Sequence, residues 1–419
     1  MQAERKNKLT LNFFSLGLVQ VINSSLQLLV IPYVISIIGA DGFGVVAVAQ
    51  VVVIFLATFT DYGFYQTATR NVALYSNDSE KISKIFSTVF FTKAILCFFS
   101  FILLLILLLI VPVFRSHFLL YILAFAFVVG QSLLMNWFFQ GLEKMWLIVL
   151  TTLAGRILFV ALVFLFLKNK EDDFLYIFFM GVGNIIAGVT GILIAFRVYS
   201  LSFKKINKKD IKDELKEGWQ YTITNLSMNT CQYANIFILR FFTNDLVVGY
   251  FSVAEKIFIT LKQVLAVFSQ SIYPRLCRLV EKGKMNLNIF LKKVYIPFLI
   301  CIIAGSILLY LLSPRVLYFF SGKEAIHSVF ILRMLCIVLV IVCLNLPSTL
   351  TMLALNQKKR YFRIYTLGGI LNIISNIVLA YFFQTNGTIL AIFITEIFIT
   401  ASVIYESRKF DFPGKINPA

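Results

Sequence analysis

Twelve apolar windows, separated by short polar breaks, leave this chain few ways to fold. They fall at about 9–38, 43–69, 82–111, 117–140, 145–168, 174–200, 212–242, 247–273, 289–312, 326–354, 362–383 and 388–407. A membrane-crossing helix needs about 20 apolar residues, so each window is long enough for one, and several exceed one bilayer thickness, which implies tilt or extension into water. The chain is 59% hydrophobic and 14% charged, far from the soluble norm of about 25% charged. What is left between the windows suffices only for short loops. The expectation is an all-α integral membrane protein of twelve transmembrane helices, without a water-soluble catalytic domain.

The net charge of +18 could suggest nucleic acid. Its lysines and arginines, however, sit between apolar runs rather than on a soluble basic face, so membrane topology explains them better and no nucleic-acid partner is expected. With the N-terminus placed in the cytoplasm, 27 Lys and Arg fall on the cytoplasmic side, six on the other and five inside helices. That bias is a strong positive-inside signal and puts both termini in the cytoplasm. The basic stretch Met1–Lys8 runs into an apolar segment with no small-residue cleavage site, which reads as a retained first helix. Cys97, Cys231, Cys301, Cys336 and Cys343 lie in apolar runs and Cys277 in a basic loop. None has zinc-like spacing, so no metal or other cofactor is expected and the thiols read as packing residues.

The longest polar break, Ser200–Lys216, divides the windows six and six, giving halves 1–205 and 206–419. A shift of 205 residues aligns Gly44-Val-Val-Ala-Val-Ala-Gln50 with Gly249-Tyr-Phe-Ser-Val-Ala-Glu255, and Arg70 with Arg275. Transporter folds often arise by duplication. An even number of helices per half makes such a repeat parallel, so the expected architecture is two six-helix bundles around a central cavity.

Several short stretches then resemble a known family. Asp61-Tyr-Gly-Phe-Tyr-Gln-Thr-Ala-Thr-Arg70, Trp137-Phe-Phe-Gln-Gly-Leu-Glu-Lys-Met145, Ile31-Pro-Tyr33 with Gly39-Ala-Asp-Gly-Phe-Gly44, and Ser271-Ile-Tyr-Pro-Arg275 together resemble the Wzx-type O-antigen flippases. These form a polysaccharide-transporter branch of the multidrug/oligosaccharidyl-lipid/polysaccharide exporter superfamily. The resemblance covers essentially the whole chain. It implies a bacterial inner-membrane flippase, not an enzyme, that moves undecaprenyl-pyrophosphate-linked oligosaccharide to the periplasmic leaflet by alternating access for lipopolysaccharide biosynthesis. It also implies membrane lipid as surroundings and the O-antigen polymerase and chain-length regulator as candidate partners.

Such a headgroup cannot cross hydrocarbon without a polar, cationic path, because each unsatisfied polar group costs several kcal/mol there. The deep basic residues are Lys93, Arg156, Lys256, Lys262 and Arg333, candidates to line a cationic cavity and bind the pyrophosphate. The alternative for each is snorkelling or pairing with an acid. Asp61, Glu255 and Glu396 are the deep carboxylates, candidates for ion coupling or for balancing the cavity's charge. Glu255 and Lys262, seven apart, share a helix face and are possible partners, whereas Lys256 is rotated by about 100°. Arg240, at a helix end, reads as an interface anchor. Tyr62, Tyr65, Asn136, Gln140, Asn225, Asn229 and Gln232 could bond sugar hydroxyls or bridge helices. Pro32, Pro274, Pro297 and Pro347 are candidate kinks. His117 and His327 receive no role.

Two other readings compete. A multidrug or cation antiporter of the same superfamily would favour an acidic or aromatic cavity. An O-antigen polymerase would carry a large periplasmic loop that these windows leave no room for. The lipid II flippase branch carries fourteen helices, two more than expected here.

Overall fold

The computed structural model describes residues 2–76, 78–281, 284–322, 326–355 and 357–409. The side chains of Met1–Lys8, Cys231, Pro274 and Cys277 lie outside the described residues. Described residues outside the loops are helical, with no strand among them. The helices are α1 (Gln2–Asp61), α2 (Phe64–Leu74), α3 (Ser79–Ile110), α4 (Pro112–Arg115), α5 (Phe118–Leu133), α6 (Asn136–Gly141), α7 (Met145–Phe166) and α8 (Asp173–Tyr199). They are followed by α9 (Lys208–Phe242), α10 (Asp245–Glu281), α11 (Lys284–Phe290), α12 (Ile296–Ser321), α13 (Ile326–Ala354) and α14 (Lys358–Arg408).

Eight helical stretches among the described residues are long and apolar enough to cross a membrane. Two of them, Leu28–Leu74 and Lys359–Arg408, run 47 and 50 residues, about twice one crossing. Each is broken. In α1 the break is Gly39 (φ 75°, ψ 173°), a conformation open essentially to glycine alone; in α14 it is Gln384 (φ 51°, ψ −125°). Both breaks sit in or beside the gaps expected between windows. Chain direction therefore changes at Gly39 and Gln384 rather than at Pro32 or Pro347, which α1 and α13 carry inside helical backbone. Pro297 does distort its surroundings: a π turn over Leu291–Tyr295 immediately precedes it. A proline lacks the N–H that would continue the regular ladder.

The seventh and eighth windows, on α9 and α10, are not among the eight stretches. α10 carries Glu255, Lys256 and Lys262, and the first turns of α9 are too polar for lipid: six of the eight residues Asp210–Glu217 are charged. The apolar part of α9 begins beyond Glu217 rather than at 212. The windows also ran over two short helices. α2 is amphipathic, burying Phe64, Thr67, Ala68 and Val72, and α6 is a separate six-residue helix after the turn at Leu134 and Met135.

The chain forms two compact units, Met1–Asn229 and Thr230–Ala419. In the first, α8 packs along α5 and α7, α1 against α5 and α7, and α2 on α6. Close approach rests on small residues. A Cβ on Gly181 would stand 2.5 Å from the Ala126 backbone, and one on Gly183 2.6 Å from the Gly155 carbonyl. Membrane helices associate through such tight backbone packing. In the second unit α13 packs against α10, α12 and α14.

Outward faces are apolar, as lipid requires: Phe98, Phe99, Leu103, Leu109 and Ile110 of α3 are exposed, a surface no soluble monomer would tolerate. The stretches aligned by the 205-residue shift behave alike. Gly44 to Gln50 is buried throughout, and so is Gly249 to Glu255 apart from Tyr250. The polar residue closing each stretch is buried too, Gln50 at 7% exposure and Glu255 at 4%.

The connector after α8 is extended and strapped to α3. The backbone N–H of Ser202 donates to Ser83 Oγ (3.3 Å) and that of Lys204 to Ser87 Oγ (2.9 Å). Phe203 enters an aromatic cluster with Phe86, Phe90, Phe91 and Phe196. The charged first turns of α9 stay with this unit: Lys84 Nζ meets Asp210 Oδ1 at 3.0 Å, and Arg70 meets Glu217 at 3.6 Å.

Glu214, in the same turns, is half-buried and accepts from Thr67 Oγ1 at 3.4 Å. Burial, reinforced by Glu217, pushes its carboxyl up to about 7. The folded protein thus holds a proton there that the unfolded chain releases near 4.5, so stability falls as pH rises from about 4.5 to about 7. Glu214→Gln should leave stability nearly unchanged at pH 4.5 and increase it at pH 8, by on the order of 1 kcal/mol after solvent screening. Thermal unfolding of the detergent-purified protein at the two pH values checks this.

Candidate functional site

In the N-terminal unit the deep charges meet at the end of α1. Lys93 Nζ of α3 donates to Asp61 Oδ1 at 2.6 Å. The lysine side chain is 4% exposed and the carboxylate 30%, so the acid is the outward member of the pair. Between the same two helices, Thr60 and Ser100 hydroxyls bond at 2.8 Å. Immediately after Asp61 the chain takes two left-handed residues, Tyr62 (φ 43°) and Gly63 (φ 73°). A side chain at Gly63 would strike Tyr221 Cβ at 2.6 Å, which is why the sequence has glycine where α9 crosses the turn. Two of the expected polar contacts appear here. Tyr65 and Gln140 are hydrogen-bonded, and Asn229 Nδ2 donates to Thr58 Oγ1 at 2.6 Å.

Arg156 of α7 lies in the packed interior of the same unit, its Nη1 shut off from solvent. Tyr176 of α8 is one neighbour of its guanidinium, and Phe43 and Phe159 pack on that ring. Gln50 sits nearby on α1, its Nε2 3.7 Å from Met180 Sδ.

In the C-terminal unit Lys262 of α10 pairs with Glu396 of α14, Nζ to Oε1 at 3.3 Å. The exposure is reversed here: the lysine side chain is 42% exposed and the carboxylate 15%. The acid bonded to Lys262 is therefore Glu396, not Glu255 as the seven-residue spacing suggested. The partner comes from another helix because Nζ can reach across the α10–α14 gap, while two turns along one helix is a longer reach. Glu255 is buried, and its Oε2 has no hydrogen-bond partner among the described residues. Both Lys256 and Lys262 act on it electrostatically, so the 100° rotation of Lys256 does not remove it from that carboxylate's surroundings. Arg333 of α13 is a bridge to α12: its Nε donates to Ser313 Oγ at 3.1 Å, and its guanidinium lies 5.1 Å from the Tyr310 ring centre. Arg240 is tied locally, donating to Asp245 and to the Thr243 carbonyl at 3.0 Å each. His327 stacks on Tyr250 with ring centres 4.8 Å apart.

A group that the sequence did not single out is a set of buried amides. Asn376 donates to Asn235 Oδ1 at 2.9 Å, Asn372 to Thr395 at 3.3 Å, and Asn345 to Thr400 at 3.2 Å. The signal was available: asparagines at 372 and 376 lie one turn apart in an otherwise apolar window. Among the described residues no group of three or more His, Cys, Asp or Glu could hold a metal ion.

Lysine–carboxylate pairs within apolar helical units are the chemistry of a transport path rather than of catalysis. Residues 9–280 match the family described as polysaccharide biosynthesis protein. The chain belongs to that family. Two curated relatives extend the match to nearly full length. The "Putative O-antigen transporter" of Escherichia coli (strain K12) is 27% identical over 413 residues, covering 96% of this chain and 98% of that protein. A protein of the same name from Shigella dysenteriae is 28% identical over 392 residues, covering 93% and 97%. The resemblance to the Wzx-type transporters carried by the short motifs is thus borne out. In fold, the chain is similar to the lipid II flippase MurJ in an inward closed conformation (TM-score 0.71, 16% identity, 95% of this chain and 87% of that one). It is also similar to an inward-facing multidrug resistance MATE family transporter of the MOP superfamily (TM-score 0.64, 16% identity, 88% and 92%). This member of the polysaccharide biosynthesis family is a multi-pass helical membrane protein built like those transporters.

Proposed function

We propose that this protein flips undecaprenyl-pyrophosphate-linked O-antigen oligosaccharide from the cytoplasmic to the periplasmic leaflet. Two parallel six-helix halves, with both termini cytoplasmic, alternate access to a central cavity. The observation that carries the reading is Lys262: a deep lysine, open at 42% of its side-chain surface, whose carboxylate partner is 15% exposed. An incoming phosphate can displace Glu396 from it, because a doubly charged pyrophosphate outcompetes one carboxylate for an ammonium. Lys93 repeats the device in the other half with its carboxylate outward. Lys256, Arg156 and Arg333 add positive potential to the path; the last two do so from positions that also brace helices.

Displacement leaves the Glu396 carboxylate, 15% exposed, without its ammonium, and such a stranded charge favours uptake of a compensating cation. That supplies a route for coupling substrate loading to cation entry. The polymerase and chain-length regulator are fitting partners on the product side. A cation-coupled multidrug antiporter is the second reading, favoured by the buried Glu255 with its unpartnered Oε2.

Loss of the gene in a strain making one defined O antigen, with leaflet-resolved detection of the lipid-linked intermediate, tests the proposal. The oligosaccharide should accumulate on the cytoplasmic leaflet. Periplasmic arrival at the normal rate would rule the flippase out, and a selective rise in drug accumulation would favour the antiporter. Collapsing the proton and sodium gradients separately then shows which one drives the cycle.

A further inference from the structure

The motif Trp137–Met145 is not used by the transport path, yet one of its residues opens on a cavity. A pocket of about 370 Å³ lies in the N-terminal unit where the α2–α3 turn, the α6–α7 turn and the end of α8 meet. Charge bias assigns this end of the bundle to the cytoplasm. Four donors line it: the Lys144 ammonium and the hydroxyls of Ser76, Ser79 and Tyr199. None of the four has a side-chain hydrogen bond or ion pair with any described residue. Two nearby acids on the α2–α3 side are committed elsewhere. Asp78 caps α3 by accepting from Lys81 N (3.0 Å) and meets Lys81 Nζ at 3.3 Å; Glu80 meets Lys204 at 3.5 Å. Lys144 is therefore the one charge the pocket presents, and it is half-buried.

The rest of the wall is Ile82, Leu142 and Phe138, with Tyr199 set edge-on to Phe138 at 5.7 Å between ring centres. One ammonium and three hydroxyls lining one pocket suit a tetrahedral oxyanion, which offers several acceptor oxygens at once. The apolar remainder of the lining suits whatever is esterified to it. Tyr75 and Trp146, both exposed, stand next to Ser76 and two places beyond Lys144 in the chain; such aromatics are enriched at the headgroup level of a membrane. We propose that this pocket binds a phosphate ester, the phosphodiester of an anionic lipid headgroup in the cytoplasmic leaflet, with Lys144 as its counter-charge. The site is separate from the deep lysines and does not depend on which substrate is flipped.

Full-length protein in a neutral maltoside detergent would be titrated with dihexanoyl-phosphatidylglycerol, inorganic phosphate or dihexanoylglycerol, and thermal unfolding followed by tryptophan fluorescence. Phosphatidylglycerol should raise the midpoint of the wild type, and dihexanoylglycerol should not. Lys144→Met should weaken the half-maximal concentration at least tenfold, Ser79→Ala about threefold, and Lys144→Arg should stay near wild type. Inorganic phosphate acting as strongly as the lipid would support the phosphate site while making its source soluble phosphate. No shift with either phosphate compound, an equal shift with dihexanoylglycerol, or wild-type affinity in Lys144→Met would overturn the proposal. Ser79→Ala keeps the lysine and the fold, so its weakening is independent of any instability in the lysine variants.

Discussion

Asp61→Leu should destabilise the protein severely, and adding Lys93→Met should restore most of what is lost. Lys93 is 4% exposed and its ammonium touches Asp61 at 2.6 Å. Removing the carboxylate strands a positive charge among Leu96, Val89 and the buried hydroxyls of α3. Stranding one partner of a buried pair costs about 3–5 kcal/mol, whereas replacing both by well-packed apolar residues is often neutral. The order of the single variants follows from exposure. Lys93→Met leaves Asp61, 30% exposed, where water still reaches it, so it should cost less than Asp61→Leu. Melting of detergent-purified variants by fluorescence-detected size exclusion measures all three. If Asp61→Leu melts like the wild type, the ammonium has another counter-charge and the pairing is incidental. The double variant separates fold from function: restored melting with absent transport would show that the pair is used in the cycle as well as in the bundle.

That pairing was the part of the site least legible in the sequence. Hydropathy windows average over a helix and report where it runs, which is why the breaks at Gly39 and Gln384 fell at or beside expected gaps. They do not report how a helix is rotated, and rotation decides contacts. Lys93 and Asp61 are 32 positions apart and Lys262 and Glu396 are 134 apart; no spacing rule reaches either pair. Spacing along one helix pointed Lys262 to Glu255, and packing gave it to Glu396. Averaging also hid α2 and α6, because short amphipathic turns at a window's edge inherit its apolar mean. Arg333 shows the same limit from the other direction: a deep arginine on an apolar helix has a helix-bracing use that only the neighbouring Tyr310 and Ser313 disclose. The aligned Gln50 and Glu255, by contrast, were legible from the 205-residue shift as matching positions, and both are buried.

Lys262→Met should abolish most transport while leaving protein in the membrane, since the lysine is the more exposed member of its pair and Glu396 the less exposed one. A hydrogen bond to a charged group contributes about 1.5–3 kcal/mol, so its loss weakens headgroup binding by roughly ten- to a hundredfold. Surface O antigen, quantified against the level of membrane-inserted protein, reads the loss. The variant also strands Glu396, so a drop alone does not separate substrate binding from charge balance. Lys262→Met combined with Glu396→Leu makes that separation, because it removes the stranded carboxylate and leaves an apolar contact. If Lys262 meets the pyrophosphate, the double variant is folded and still inactive, and Lys262→Arg, which keeps a phosphate-binding cation, is active. If Lys262 only neutralises Glu396, the double variant transports at the wild-type rate, and the phosphate path must be sought at Lys93 instead. Glu396→Gln alone completes the set. It leaves Lys262 without a competing carboxylate, so headgroup binding should tighten, while turnover slows because nothing displaces the phosphate for release. Tighter binding with slower flux is the signature of a carboxylate that trades places with substrate, and a static neutralising residue would give neither.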